Sequence, residues 1–582
     1  MKQVVYKIYG LINSLKYPKE LYASIESIFN DSIYDNEKHI TLATDWLLYM
    51  QNSDGGYSRK FSFITGRDTS YIETTGYIIL TLLKLEDERY INSALKAGKW
   101  LLKIQNRDGS FSEIDNNQPF VFDTGQVLFG LNALYEFTND KQYKNAIIKA
   151  SNWLVEVQES DGSWEKYAYN RQKHSYYSRV ASALYKAGII LNNESFKKSA
   201  LKNTEWVLSQ QQENSYFKYS SFSKETPAYL HTLIYILEGL LDIYEYTNDK
   251  KILDAILKNA TNFKNINLTR DLILCSQYDE NFVCVNSQRC MTGLAQWLGV
   301  ATKLYVITKD EEYKRCAVNT AFYLKAKQMK SSSIRGGFSA SMPFWGKYGT
   351  FDFVNWTNKF FIDSMQEYKK LDITITQEQE SFVGGAFAMT NSVVTDTLSY
   401  MDRAYIKAFE KRFDKTKSLK VLDIGCGKGV IINELQKKYP KYEFIGVDPT
   451  FKSKNIHKGS IYNIPFEDKS FDVVMSFEVL QHTYLKEALI EIYRVLKVDG
   501  NVVIGERNPL SILGFLKPFY ELMGRWMYPF DSAFREKWYG VKEWKYHLKL
   551  GGFEMSEIEY ISNVEDRVKN MNRYYFIVGE RV

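Results

Sequence analysis

A tryptophan, a glutamine five residues later and a glycine four residues after that recur along the first part of this 582-residue chain. WLLYMQNSDGGYS starts at Trp46, WLLKIQNRDGSFS at Trp100, WLVEVQESDGSWE at Trp153, and the weaker WVLSQQQENSYFK at Trp206. Their glutamines, Gln51, Gln105, Gln158 and Gln211, lie 54, 53 and 53 residues apart. A further copy, FYLKAKQMKSSSIRGGFS, carries Gln328 some 117 residues later, which leaves space for one degenerate unit around Phe263 and gives six units. Each unit holds two helical patterns, such as TGQVLFGLNALYEFTND followed by KQYKNAIIKASNWLVEVQ, with apolar residues at three and four spacing. The Asp-Gly after the glutamine marks the turn that stops the second helix. A helix pair cannot bury its apolar face alone, so repeated pairs stack into a solenoid or close into a ring. Six long units predict a closed α/α toroid.

The chain is too long for one hydrophobic core, so at least two domains are expected. With 45% hydrophobic residues, 25% charged residues and only ten prolines, it should fold nearly throughout as a globular protein. A net charge of +6 is too mild for a dedicated nucleic-acid binder. The N-terminus lacks an uninterrupted apolar core, so it does not read as a signal peptide, and no stretch reaches the roughly 20 apolar residues that span a bilayer. The five cysteines, Cys275, Cys284, Cys290, Cys316 and Cys426, form no C-x2-C pair, so no metal site is expected. They read as free thiols in a reducing compartment, the cytoplasm.

The helical rhythm breaks at ITITQEQE, between Leu371 and Ser381. This places a toroid over 1–370, a linker over 371–400 and a second domain over 401–582. In that domain a helix, NSVVTDTLSYMDRAYIKAFEKRF, leads into KSLKVLDIGCGKG. Leu419 to Ile424 reads as a strand, Gly425, Gly427 and Gly429 as a tight turn, and VIINELQKKY as the helix after it. Strand, glycine turn and helix in this order suit a Rossmann-like nucleotide site, where glycines let the backbone approach a ligand. Asp423 sits inside the motif, and Asp448 ends the next strand 19 residues after Gly429. IPFEDKSFDVVMSFEVLQH supplies a fourth strand.

Two resemblances follow from these residues. Gln158, Gly162 and Trp164 match the Q-x3-G-x-W repeat of terpene cyclases and their toroid relatives, and Gln51/Gly55/Tyr57 and Gln105/Gly109/Phe111 match it with another aromatic. The likeness covers about residues 40 to 340, but the chain has no D-x-D-D acid motif and no Asp/Cys/His zinc set like that of protein prenyltransferases. Six-pair toroids of glycan-processing enzymes, such as unsaturated uronyl hydrolases and polysaccharide lyases, imply a sugar-binding cavity instead. The second domain closely resembles the class I S-adenosylmethionine-dependent methyltransferases over about residues 418 to 508, with continuation to 582. The fold class implied is multidomain: an all-α (α/α)6 toroid followed by an α/β Rossmann-like seven-stranded methyltransferase domain, with FEMSEIEYI and RYYFIVGER as its final antiparallel pair.

This second resemblance implies S-adenosyl-L-methionine as cofactor. Gly425, Gly427 and the backbone near Asp423 would hold its methionine end, with Gly429 of the same turn also cofactor-binding, Asp448 its ribose hydroxyls, Ile461 and Tyr462 would lie beside its adenine, and Phe477 or Glu478 near the reactive end. Where relatives have Gly-Asp before the fourth strand, this chain has Gly459-Ser460. His482 is the nearest base for a hydroxyl acceptor, or else a packed or capping residue. The segment from Arg507 to Lys549, with Trp526, Tyr528, Trp538 and Tyr539, would cover the acceptor pocket.

In the toroid, equivalent positions should ring one mouth. Glu73, Asp123, Arg179 and His231 stand about twenty residues after their glutamines, and Arg289, Trp345 and Trp356 in the corresponding later stretches. Glu73 and Asp123 could divide acid and base work. Alternatively His174, Tyr176 or Tyr177 would move protons while Arg179 neutralises a uronate. A third reading makes the carboxylates helix caps and the tyrosines packing residues. The expected activity is methylation of a glycan or glycan precursor at oxygen. The alternatives are a small-molecule or lipid methyltransferase with a scaffold toroid, and a toroid hydrolase, lyase or epimerase fused to a methyltransferase. The expected partner is a small-molecule or glycan substrate rather than nucleic acid; the residues specify neither the acceptor atom nor the oligomeric state.

Overall fold

The computed structural model describes residues 2–29, 33–112, 118–269, 272–389, 397–507, 539–561 and 574–582. The chain divides into two compact units, Met1–Ile375 and Thr376–Val582.

The first unit is helical: α1 (Lys2–Ser14), α2 (Pro18–Phe29), α3 (Asn36–Tyr49), α4 (Ile72–Leu83), α5 (Glu88–Ile104), α6 (Val121–Thr138) and α7 (Lys141–Glu156), then α8 (Ser178–Ile190), α9 (Glu194–Ser209), α10 (Leu230–Thr247), α11 (Lys250–Thr269), α12 (Met291–Thr308), α13 (Glu311–Lys327) and α14 (Asn355–Tyr368). Among the described residues, α4, α6, α8, α10, α12 and α14 each pack on the next, and α14 returns to α4. These six form the inner wall of a closed toroid, and α3, α5, α7, α9, α11 and α13 form its outer layer. Burial explains the division of labour. Every residue of α6 from Asp123 to Leu134 is buried, whereas α5 buries a stripe of Tyr90, Ser93, Ala94, Ala97, Gly98, Trp100 and Leu101 at helical spacing.

The repeat glutamine is a staple. Gln158 Nε2 donates to the Gly162 carbonyl at 2.9 Å, closing its own turn, and to the Ser199 carbonyl of the next outer helix at 3.0 Å. Gln51 and Gln105 do the same to Ser93 and Ala146. The paired glycine is required for two reasons. Gly336 has φ of +86°, and a Cβ there would lie 1.9 Å from the Leu42 carbonyl oxygen, so no side chain fits.

The cysteine expectation is corrected. Cys275 and Cys284 form a disulfide, because the antiparallel ladder between Gln277–Tyr278 and Cys284–Asn286 folds back and brings their Cα atoms to 5.9 Å. Cys290, Cys316 and Cys426 are free. No helix of the described residues is long and apolar enough to cross a membrane.

The second unit holds α15 (Ile375–Met389), α16 (Tyr400–Glu410), β1 (Lys420–Ile424), α17 (Val430–Lys438), β2 (Glu443–Asp448), β3 (Ile456–Lys458), β4 (Phe471–Phe477), α18 (Leu485–Val495), β5 (Leu496–Arg507), α19 (Val541–Leu550), β6 (Phe553–Ile561) and β7 (Tyr574–Arg581). Its sheet has the order β3-β2-β1-β4-β5-β7-β6; β7 runs antiparallel to both neighbours and the other pairs are parallel. Alternate residues serve opposite faces. Leu422, Val474 and Ile504 pack with Leu489, Ile492, Trp544 and Leu548 of α18 and α19. Val421, Val473 and Val503 pack with Ile406, Phe409, Ile432 and Leu435 of α16 and α17.

The stretch 371–400 that reads as a linker contains α15. Its polar run QEQE lies within that helix instead of a free connection. Of the expected acceptor cover, Trp526, Tyr528 and Trp538 lie outside the described residues, while Tyr539 packs against Trp544 with ring centroids 5.3 Å apart.

Candidate functional site

The order of the sheet reverses between β1 and β4, and a ligand crevice is expected at the carboxyl ends of strands flanking such a point. A cavity of about 550 Å³ lies there, lined by the ends of β1, β2 and β4 and by residues of α15 and α16. After Ile424 the backbone turns through Gly425 (φ +72°), Gly427 (φ +55°) and Gly429 (φ +77°), and Gly429 caps the N-terminus of α17. The Gly425 amide donates to the Val447 carbonyl at 2.8 Å, and the Gly427 amide to Asp448 Oδ2 at 2.9 Å. The other Asp448 oxygen accepts from the amides of Thr450 (2.8 Å) and Phe451 (3.1 Å). Three backbone donors therefore fix this carboxylate, and a carboxylate has further lone pairs for two adjacent hydroxyls.

The cavity is acidic. Among the described residues, Glu380, Asp402, Asp423, Asp448 and Glu478 line it, against Lys428 as the one lysine or arginine on that wall. Burial, followed by the charges of Asp448 and Asp402, pushes the Asp423 carboxyl well above the usual range. A cation entering here relieves that repulsion. The sulfonium and ammonium groups of S-adenosylmethionine fit this acidic lining.

At one end of the cavity are Gly459, Ile461 and Tyr462. Tyr462 hydroxyl donates to Gln379 Oε1 at 2.8 Å, and Gln379 Nε2 donates to the His482 carbonyl at 3.0 Å. Burial, opposed by a bond to Ser460 and reinforced by the Asp448 charge, pushes Glu380 up. At the β4 end, Phe477 stacks on Tyr405 at 4.6 Å. Glu478, at φ +58°, accepts from Tyr405 hydroxyl and Arg507 Nη2, each at 3.4 Å. A positive φ on a bulky side chain is a strained backbone of the kind concentrated at functional sites. His482 is a lining residue of the cavity, and its Nε2 is 3.3 Å from Gln481 Nε2.

Thus Asp423, Gly425, Gly427, Asp448, Ile461, Phe477, Glu478 and His482 share one cavity wall, while Gly429 serves the α17 terminus. The sequence reading missed Gln379, Glu380, Asp402 and Tyr405. The Ser399/Asp402 capping box was the available signal, since S-x-x-D ahead of an apolar run marks where α16 starts.

The toroid residues form a second polar region. Glu73, on the first turn of α4, is surrounded by protein yet keeps some accessible surface. Its burial, moderated by bonds to Tyr71 and Tyr77, raises its pKa to about 7. The same charge acts on Tyr176, Tyr177, Tyr235 and Tyr348. Asp123 is buried near Tyr177. His174 Nε2 donates to the Tyr169 carbonyl at 2.8 Å, its ring stacks on Tyr176 at 4.6 Å, and burial lowers its pKa.

Arg179, expected to neutralise a uronate, has a partner within the fold. Its Nη1 pairs with Asp242 at 3.1 Å and its guanidinium lies 4.4 Å above the Phe129 ring, so its charge is already met from within the fold. His231 Nδ1 lies 2.7 Å from Gln296 Oε1, Gln296 Nε2 donates to Glu238 at 2.8 Å, and burial takes the imidazole down to about 4. Lys359 pairs with Asp363 at 2.8 Å. Arg289 is likewise internal, donating to the Ser287 carbonyl at 2.7 Å. Trp345 packs on Phe344, and Trp356 Nε1 donates to Tyr348 hydroxyl at 2.9 Å. Glu238, Asp242, Lys359 and Asp363 were not singled out from sequence; charged residues interrupting otherwise apolar inner helices were their signal.

Comparison with known proteins divides the chain in the same way. The family described as "Methyltransferase domain" matches residues 422–504, and "Squalene-hopene cyclase C-terminal domain" matches residues 68–238. An uncharacterised methyltransferase of Schizosaccharomyces pombe is 35% identical over 139 residues, which are 20% of this chain; the chain spans about half, 48%, of that relative. The ubiquinone/menaquinone biosynthesis C-methyltransferase of Campylobacter jejuni is 28% identical over 176 residues, 25% of this chain and 75% of its own. Among solved structures, a SAM-dependent methyltransferase of Thermotoga maritima has a TM-score of 0.25 at 20% identity, covering 31% of this chain and 89% of its own. An unsaturated glucuronyl hydrolase specific for heparin has a TM-score of 0.47 at 16% identity, covering 58% and 97%.

Proposed function

From a C-terminal methyltransferase domain that takes S-adenosylmethionine and an N-terminal helical toroid, we propose that this protein methylates a glycan or glycan precursor at oxygen, the toroid binding the carbohydrate. The acidic cavity below the glycine turn is the observation that carries the methyl-transfer part. When bound, the donor supplies a methyl carbon on a positively charged sulfur, already activated for displacement. Asp448 holds the ribose hydroxyls. Asp423 and the Gly425–Gly427 backbone hold the methionine end, and the Phe477–Glu478 edge faces the acceptor. His482 takes the proton that a hydroxyl acceptor gives up as its oxygen bonds to carbon.

The carbohydrate part is supported by the toroid's polar interior, where the inner helices contribute Glu73, Asp123, Arg179, His231 and Glu238 beside aromatic rings. Such a lining of polar and aromatic groups suits a sugar ring. Methyl incorporation by the full chain from labelled donor, across glycans, nucleotide sugars, lipids and small phenols, tests this. Label in carbohydrate, reduced by Glu73→Gln, agrees; label confined to lipid or small molecules favours the scaffold reading.

A second reading is favoured by one observation. Glu73, with its pKa raised to about 7 among tyrosines, has the proton affinity of an acid-base group. On this reading the toroid is itself a hydrolase, lyase or epimerase, with Asp123, His174 and Arg179 supporting Glu73. Turnover of an oligosaccharide without methyl donor, abolished by Glu73→Gln, distinguishes it.

A cytoplasmic location accompanies the proposal, because the donor is an intracellular metabolite. The Cys275–Cys284 bond makes this testable by thiol trapping in intact cells: a pair that is reduced there and closes only on exposure to air agrees, and a bond already closed in the cell argues for an oxidising compartment.

A further inference from the structure

Residue 460 stands at the edge of the crevice, between the lining residues Gly459 and Ile461, and its serine hydroxyl is already engaged. Ser460 Oγ accepts from the Tyr462 amide at 3.0 Å and bonds to the Glu380 carboxylate. Glu380 belongs to α15, far outside the matched segment 422–504, yet it lines the same cavity as Gly459, Ile461 and Tyr462. Its position is fixed by its neighbour. Gln379 bonds to Tyr462 hydroxyl at 2.8 Å and to the His482 carbonyl at 3.0 Å, and the Tyr484 amide holds that hydroxyl at 2.9 Å. The Gln379 amide thus ties α15 to the loops after β3 and β4, leaving the next side chain to face Ser460.

We propose that Glu380, lining the Gly459–Tyr462 end of the cavity beside Asp448, is the carboxylate that recognises the donor's adenine, accepting a hydrogen bond from its exocyclic amino group. This rests on the donor reading above. A carboxylate offers two acceptor oxygens, so one can keep the Ser460 hydroxyl while the other meets the amino group. The donor pocket is then completed by a helix that precedes the glycine loop by some forty residues, and α15 is part of the cofactor site rather than a spacer.

The test is titration calorimetry on the full chain with S-adenosylhomocysteine and with S-inosylhomocysteine, whose base carries a carbonyl oxygen in place of the amino group. A half-buried carboxylate oxygen facing that carbonyl would lose its donor and meet a second acceptor, so the wild type should favour the adenosyl compound by at least about tenfold. Glu380→Gln, whose amide can serve either base, and Glu380→Ala should both bring the ratio toward one. Because the readout is a ratio within each variant, a general loss of affinity or folding cancels. An unchanged ratio in both variants overturns the proposal while the donor reading stands. Failure of the wild type to bind either compound overturns the donor reading, and the proposal with it.

Discussion

His39 on the first outer helix and Gln328 at the end of the last, 289 residues apart, hold each other through both ends of one amide. His39 Nδ1 lies 2.5 Å from Gln328 Oε1, and Gln328 Nε2 donates to the His39 carbonyl at 3.1 Å and to the Gly336 carbonyl at 3.0 Å. The repeat staple of the final unit thus closes the toroid onto its beginning. Gln328→Ala would strand the buried His39 ring nitrogen and take one bond from each of two carbonyls, of which Gly336 keeps the Asn358 amide at 2.8 Å. The expected loss is roughly 2–4 kcal/mol. The half-exposed Gln211 staple, with one bond at 2.8 Å and one at 3.4 Å, should cost about 1 kcal/mol when removed. Denaturant unfolding of the two variants measures the difference, and equal losses would contradict the closure role.

The same histidine makes the toroid acid-sensitive. The Tyr34 amide donates to His39 Nε2 at 2.9 Å, so Nδ1 carries the proton and the ring is neutral. Charging it would set two donors face to face, and burial takes its pKa from 6.5 down to about 3. The unfolded chain therefore binds the extra proton first, and stability present above pH 6.5 is lost as pH falls toward 3. The slope is about 1.4 kcal/mol per pH unit. Stability curves at pH 7 and pH 5 should separate in the wild type by about 2 kcal/mol from this residue, and less in His39→Gln.

Arg179 is expected to act as a structural cation. Arg179→Ala removes the nearer of two cations from Asp242, which keeps Lys303 at 3.9 Å and the Ser182 hydroxyl at 3.2 Å, and should destabilise the first unit by about 2 kcal/mol. Asp242→Asn in the same background should restore part of that loss. A stable Arg179→Ala protein that merely loses oligosaccharide binding would instead support the uronate-binding role.

Donor binding should strengthen with pH across the Asp423 titration. Burial and the neighbouring carboxylates push the Asp423 carboxyl well above its ordinary range, and a cationic ligand favours its ionised form, so raising pH reduces the cost of ionising it before binding. Calorimetry with S-adenosylmethionine between pH 5.5 and 8 should show this rise, and Asp423→Asn should flatten it.

What could be read from the chain alone follows the physics of repetition and local order. Gln51, Gln105 and Gln158 announce the toroid because each makes the same two backbone bonds in successive units. Asp423, the glycine turn and Asp448 are legible because strand, turn and helix are contiguous. The role of α15 was hidden because QEQE has the composition of a connection, and only packing brings Gln379 and Glu380 to the crevice. Cys275 and Cys284 were hidden because their pairing depends on an irregular register between very short strands. Asp242 and Glu238 were hidden because their partners come from other helices, α8 and α12.

The central claim is that Asp448, braced by the glycine-turn amide, grips the ribose of the methyl donor. Titration of the full chain with S-adenosylhomocysteine, wild type against Asp448→Ala, tests it most directly. The account predicts saturable one-to-one binding that weakens about tenfold to hundredfold in the variant. No binding by the wild type, or equal affinity in both, would contradict it.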